Sequence, residues 1–261
     1  MLLIRFVLVS LVFAAMLTFV RTWRRGEVPR PDLSVIGLAA IVGIALHGVY
    51  LGSVFFAISV GLSAGISALI VSMQPLLASV LAILLFNERL RPVQLAGLLA
   101  GIAGVFIVLL PKMGGGMPPL GLFSVCCGLV AVTGGTLLQK RIGDKIDLLT
   151  GNLVQTMAAN GFLAVICLTV ETPQVSWEMP FLLALAWQVI MVSAGAYVIL
   201  MLLIKRDSMA AVSSLMFLVP PVTAVIAAAG FGEPLTLAGI IGFCLSSAGV
   251  YLVTANSSPR E

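Results

Sequence analysis

In an apolar run from Thr150 to Val170, Asn152, Thr156 and Asn160 recur every four residues, with Gln155 beside them. On an α-helix that spacing lays them along one face. Their amides and hydroxyls can hydrogen-bond a small polar solute, or one another across helices, but none is a strong nucleophile or acid. Facing hydrocarbon, each would leave donors and acceptors unpaired at a cost of roughly 2–7 kcal/mol. The stripe is therefore expected to face the interior of a helix bundle. Other polar groups stand at comparable depth. His47 and Tyr50 lie one turn apart, Ser63, Ser67 and Gln74 share one side of another run, and Trp187, Gln188 and Tyr197 add aromatic and amide groups to a third. Helix-to-helix hydrogen bonding accounts for any one of them. Together they exceed what packing requires and predict a polar cavity lined by His47, Tyr50, Gln74, Gln155, Asn160, Trp187 and Tyr197.

The missing chemistry narrows the occupant of such a cavity. No Lys or Arg stands near the middle of an apolar run, Arg5 lying near one end, so a phosphorylated or strongly anionic solute lacks its natural partner. Mid-run Asp and Glu are absent too, which leaves nothing to hold a bare cation. A neutral or zwitterionic small molecule fits what remains. His47 is the only histidine and titrates ordinarily near neutral pH, but a lone histidine is more often a buried hydrogen-bonding residue than a proton carrier. Cys126, Cys127, Cys167 and Cys244 sit inside apolar runs, in neither a metal-ligand spacing nor a loop pair for a disulfide. With no carboxylate cluster, phosphate-cradling loop or loop large enough for a catalytic domain, the chain is not expected to be an enzyme or to hold a metal or cofactor.

The elements that must position these groups follow from composition. The 261 residues are 61% hydrophobic and 9% charged, with a mean hydropathy of +1.19, too little polar surface to coat a water-soluble globule. A bilayer is the expected partner. Nine apolar runs are near Leu3–Val20, Leu33–Ile58, Ala64–Phe86, Val93–Leu110, Leu120–Gln139, Thr150–Val170, Pro180–Ile204, Met209–Phe231 and Thr236–Ala255. Their length suits transmembrane helices and exceeds that of membrane β-strands. The first lacks a small-x-small cleavage pattern and precedes a basic cluster, so it reads as a retained helix rather than a signal peptide. Assigning loops alternately to two sides puts Arg21, Arg24, Arg25, Arg30, Arg89, Arg91, Lys140, Arg141, Lys145, Lys205, Arg206 and Arg260 on one side, against Arg5 and Lys112 on the other. That bias makes the first side cytoplasmic, with the N-terminus outside and the C-terminus inside. The net charge of +4 comes from scattered topogenic residues, so no nucleic-acid partner is implied.

The chain also repeats itself. Shifted by 145 residues without a gap, Pro75–Val108 matches Pro220–Val253 at Pro75/Pro220, Phe86/Phe231, Glu88/Glu233, Leu90/Leu235, Gly97/Gly242, Gly104/Gly249 and Val108/Val253, among others. The copies are expected at 1–117 and 118–261. The second has five apolar runs and the first four, so a further helix is expected at the front of the first copy. Five crossings per copy would invert one copy relative to the other, an architecture that secondary transporters use to place a substrate site where repeats meet. Glu88 and Glu233 lie in the short turns FNERL and FGEPL, where a carboxylate meets water and the free N–H groups of the next helix. They suit turn and capping roles, with gating as the alternative. Pro75 and Pro220 stand mid-run and predict kinks, either fixed or able to gate. Gly97, Gly101 and Gly104 share a face, as do Gly242, Ser246 and Gly249. They predict a close-packed seam inside each repeat or at a homodimer contact.

The turns NERL (Asn87–Leu90) and GEPLT (Gly232–Thr236), the prolines Pro75 and Pro220 ahead of them and the Gly/Ala-spaced helices after them resemble EamA-type members of the drug/metabolite transporter superfamily, over nearly the whole chain. The resemblance implies ten helices in two inverted five-helix repeats, a central cavity, alternating access, and export or exchange of small metabolites, often amino acids. It also implies multi-pass residence in the cell membrane, of the bacterial inner-membrane type. This sequence departs by lacking the first helix, and the competing class is a non-transporting membrane scaffold or a truncated remnant of a transporter.

Overall fold

The computed structural model describes residues 1–24, 31–86, 91–112, 117–169, 175, 177–195, 199, 219–232 and 236–255. Among them the chain is helical throughout, with no strand. The helices are α1 (Leu2–Arg24), α2 (Leu33–Gly43), α3 (Tyr50–Ser59), α4 (Ala64–Val71), α5 (Gln74–Phe86), α6 (Pro92–Leu109), α7 (Pro119–Ile142), α8 (Leu148–Thr169), α9 (Met179–Trp187), α10 (Val219–Phe231) and α11 (Leu237–Ala255). Among the described residues two segments are wound as π-helix, π1 (Ile44–Val49) between α2 and α3, and π2 (Gln188–Gly195) after α9.

Among the described residues, seven helical stretches are long and apolar enough to cross a membrane; Met179–Ser193 and Pro221–Gly230 are shorter apolar helices. The molecular surface agrees with a bilayer as solvent. Leu33, Leu168, Leu84 and Phe123 are 84%, 79%, 72% and 67% exposed, whereas Gln155, Thr156, Thr133 and Ser67 are buried. Apolar side chains outside and hydrogen-bonded polar ones inside is the arrangement that lipid imposes.

The 145-residue register extends past the matched motif. Carried forward by 145, α1 falls on α8, α2 on α9, π1 on π2, α5 on α10 and α6 on α11. Helix starts follow local chemistry. Asp147 Oδ1 accepts the Thr150 N–H at 2.9 Å, Ser63 Oγ accepts the Ile66 N–H at 3.5 Å, and Thr236 Oγ1 accepts the Gly239 N–H at 3.0 Å. Pro92 opens α6, where its missing N–H is harmless, while Gln94 Oε1 accepts the Arg91 N–H at 2.9 Å. Pro75 stands in the first turn of α5, just after a two-residue break at Ser72–Met73 that ends α4. Pro220 likewise stands in the first turn of α10. Glu88 and Glu233 lie outside the described residues.

The chain gathers into two compact units, Met1–Gly52 with Gly134–Asp207 and Ser53–Thr133 with Ser208–Glu261. Each takes elements from both sequence copies. In the second unit α6 packs along α11, α10 against α4 and α11, and α5 against α11. The small-residue seam is here, and it corrects the sequence expectation. The two stripes pack not within one repeat but against each other. A Cβ on Gly104 would lie 2.6 Å from the Gly242 carbonyl oxygen and 2.6 Å from the Ser246 nitrogen; one on Gly249 would lie 2.5 Å from the Gly101 nitrogen and the Gly97 oxygen. Backbone meets backbone, which the dispersion-driven packing of membrane helices favours. Flanking this seam are two apolar cores, one of Ile66, Leu69, Ile70, Val108, Val125 and Phe243 and one of Met73, Leu76, Val250 and Val253.

Candidate functional site: a polar cavity in the first unit

The first unit is organised around α8, against which α1, α2 and π1 pack, while π2 packs on α1 and α9. Glycines set the spacing. A Cβ on Gly43 would run into the Gln155 backbone, one on Gly135 would meet Leu46 at 2.7 Å, and one on Gly48 would meet the Phe162 ring at 2.6 Å. Together they seat α2 and π1 close to α7 and α8. The α-helical ladder of the second apolar run gives way to π-helix at Ile44–Val49, and His47 is carried on that irregular stretch. Such segments frequently coincide with functional sites.

Between π1, the end of α7 and the start of α8 lies a cavity of about 280 Å³. His47, Gln139, Asp147, Asn152 and Gln155 give it polar walls, with Leu46, Ile146 and Leu148 as the apolar ones. Gln155 is the buried pivot at 4% exposure: its Nε2 donates to Gln139 Oε1 at 2.7 Å, and its side chain also hydrogen-bonds His47. Asp147 caps α8 with one carboxylate oxygen and holds the other buried, without a partner among the described residues. Asn152 Nδ2 bonds its own helix, at Leu148 O, at 2.8 Å, and Thr156 Oγ1 does the same at Asn152 O at 2.9 Å. The cavity draws His47 from one sequence copy and Gln139, Asn152 and Gln155 from the other.

Two further polar contacts tie α1 into this unit. Asn160 Nδ2 donates to Ser10 Oγ at 2.9 Å. Arg5, 8% exposed, donates from Nη1 to Gln188 Oε1 at 2.9 Å and from Nη2 to Ser193 Oγ at 3.4 Å, both on π2. The Phe6 ring lies 5.1 Å from the guanidinium carbon and 5.2 Å, centroid to centroid, from the His47 ring.

Of the residues expected from sequence, the structure brings His47 and Gln155 together at the cavity. Asn160 sits deeper along α8, bonded to α1. Tyr50, half-buried, opens α3 in the same unit but does not line the cavity, and Gln74, half-buried in the first turn of α5, belongs to the second unit. Trp187 is not brought to the cavity: its indole is 64% exposed, one helical step from the inward-turned Gln188. Tyr197 lies outside the described residues. Sequence reasoning left out Gln139, because it adjoins Lys140 and Arg141 and reads as a helix end, and set Arg5 aside as terminal. The signal that could have found Arg5 was its charge inside an apolar run, where charge is costly and rarely idle.

The model of the EamA-like transporter family matches residues 1–110 and 119–255. The chain belongs to the EamA-like transporter family. A curated relative, the uncharacterized transporter YvbV of Bacillus subtilis (strain 168), is 26% identical over 201 residues, 77% of this chain and 66% of that protein. The chain thus spans just under two thirds of the relative's length. A solved crystal structure superposes with a TM-score of 0.65 at 20% identity, covering 97% of this chain and 86% of that one, and shares the fold. This EamA-like chain is therefore a multi-pass membrane protein of a transporter family.

Proposed function

We propose that the chain is a secondary transporter of the cell membrane that exports or exchanges small neutral or zwitterionic metabolites, amino acids among them, by alternating access. Nine transmembrane helices form two inverted repeats of four and five helices, 1–117 and 118–261, with the C-terminus cytoplasmic. The solute is held by His47, Gln155 and Asn160, and the sequence offers Tyr50, Gln74, Trp187 and Tyr197 as further polar or aromatic partners. Glu88 and Glu233 are assigned turn, capping or gating roles from their sequence position, and Pro75 follows the break that ends α4, with Pro220 as its counterpart in the second copy.

The observation that carries this reading is the cavity whose hydrogen-bonded amide pair, buried Gln155 and half-buried Gln139, meets His47 from the other sequence copy. A pocket shared by two repeats changes shape when the repeats shift, which is what alternating access requires. The polar ends of this unit fit the same scheme. The cavity lies beside Lys140–Asp147, on the side that the charge bias makes cytoplasmic, whereas Arg5 bonds π2 near the start of α1, on the other side.

The test is flux of radiolabelled solutes into vesicles reconstituted with the purified chain. Saturable counterflow of a neutral or zwitterionic solute is expected. A protein that folds and inserts but moves none of a broad metabolite panel would be a scaffold or a remnant. Orientation is checked by cysteines introduced at Arg24 and Glu178: a membrane-impermeant thiol reagent added outside is expected to label only the second.

A further inference from the structure

We infer that Arg5 recognises the carboxylate of the transported solute, so that the substrate is a small carboxylic acid or a zwitterionic amino acid rather than an uncharged metabolite. The inference rests on the transport reading and sharpens its substrate class. A guanidinium inside an apolar helix is costly unless charge and hydrogen bonds compensate it. Compensation here is incomplete. Arg5 is 8% exposed, and its described acceptors are neutral: Gln188 Oε1 at 2.9 Å and Ser193 Oγ at 3.4 Å, the latter long for a hydrogen bond. Among the described residues the buried Nε group has no partner, and no carboxylate pairs with the side chain. Five donors in a rigid fork suit a carboxylate bidentately, and a site built only to pin π2 to α1 would not need the charge.

The surroundings suit an exchangeable partner. Both acceptors stand on π2, whose equivalent in the other copy, π1, carries His47 of the cavity. The Phe6 ring lies 5.1 Å from the guanidinium carbon and 5.2 Å, centroid to centroid, from the imidazole, so the anion-seeking group and the cavity wall share one aromatic neighbour. A solute carboxylate displacing the Gln188 amide exchanges a neutral acceptor for an anionic one, and charge-assisted hydrogen bonds are roughly twice as strong as neutral ones. The bound solute then neutralises the buried charge that the empty site leaves standing.

The full chain, reconstituted in phosphatidylcholine vesicles, is offered matched probes: L-leucine against L-leucinamide and lactate against lactamide. Each acid is expected to move about tenfold or more faster than its amide, the factor that a hydrogen bond to a charged group commands. Arg5→Gln is expected to erase that preference and Arg5→Lys to retain part of it. Gln188→Glu supplies a resident carboxylate. It is expected to raise the melting temperature of the empty protein and to abolish the further rise that added L-leucine gives the parent, a result that stands even if Arg5→Gln does not fold. Equal flux of acids and amides, or a preference unchanged in Arg5→Gln, overturns the carboxylate subsite and leaves the transporter intact. Loss of all flux while L-leucine still raises the parent's melting temperature, and fails to in Gln188→Glu, overturns transport instead. If phosphatidylglycerol stabilises the parent and carboxylates do not, Arg5 serves a lipid headgroup and the inference falls.

Discussion

The two units solve the same problem, holding helices together in lipid, by opposite means. In the second unit α6 and α11, equivalent helices of the two copies, meet through Gly97, Gly101, Gly104, Gly242, Ser246 and Gly249, backbone against backbone. In the first, α1 and α8 are also equivalent helices in contact, yet the buried face of α8 carries Gln155, Thr156 and Asn160, and its neighbours break into π-helix. Small side chains remove volume and leave no room for a solute. Long polar side chains keep helices apart and need partners. The difference teaches that one duplicated sequence can yield a close-packed seam at one pair of related helices and a cavity with hydrogen-bonding walls at another, because the side chains at each contact set how near two backbones come, small at α6 and α11 and polar at α1 and α8.

Breaking the seam should have the largest effect. Gly249→Leu or Gly104→Leu places a branched side chain where even a Cβ meets backbone atoms at 2.5–2.6 Å, so near-complete loss of folded protein in the membrane is expected, read by fluorescence-detected size exclusion. Gly104→Ala should still cost about 1–3 kcal/mol by overpacking. Gly101→Ala should cost less, since its Cβ would meet only the flexible end of Leu76, and Gly161→Ala, with open space around it, should be neutral. Equal losses at Gly104 and Gly161 would mean that the seam is not the structural element.

In the polar unit the order of effects reverses. Gln155→Leu strands Gln139 and removes a bond to His47, and is expected to depress counterflow tenfold or more while membrane abundance stays within about twofold, a coupling of the size that one buried polar partner supports. Flux that merely tracks abundance would make Gln155 a packing residue. Asn160→Leu and Gln74→Leu extend the same comparison, the first deeper on α8 and the second in the other unit.

Smaller again is Asp147→Ala. Loss of the side-chain cap on Thr150 should cost about 1 kcal/mol and lower the melting temperature by a few degrees. The least effect belongs to Asn152→Ala, because the Asn152 amide already bonds the carbonyl of Leu148 on its own helix. A large flux defect there would move the solute toward the mouth of the cavity.

Much of this was legible in the chain itself. Hydropathy and run length imply helices in a bilayer, the 145-residue self-match anticipates which elements correspond, and the four-residue spacing of Asn152, Thr156 and Asn160 marks one face of α8. These follow from local rules, a fixed rise and twist per residue and the cost of polar groups in hydrocarbon. A spacing names a face but not what that face meets. Only the tertiary structure paired the Gly97–Gly104 stripe with Gly242–Gly249, turned Trp187 outward and Gln188 inward, and buried Arg5 against residues 183 and 188 positions away. It also unwound the runs at Ile44–Val49 and Gln188–Gly195, where no proline stands, because the contacts that compensate a π-segment come from other helices.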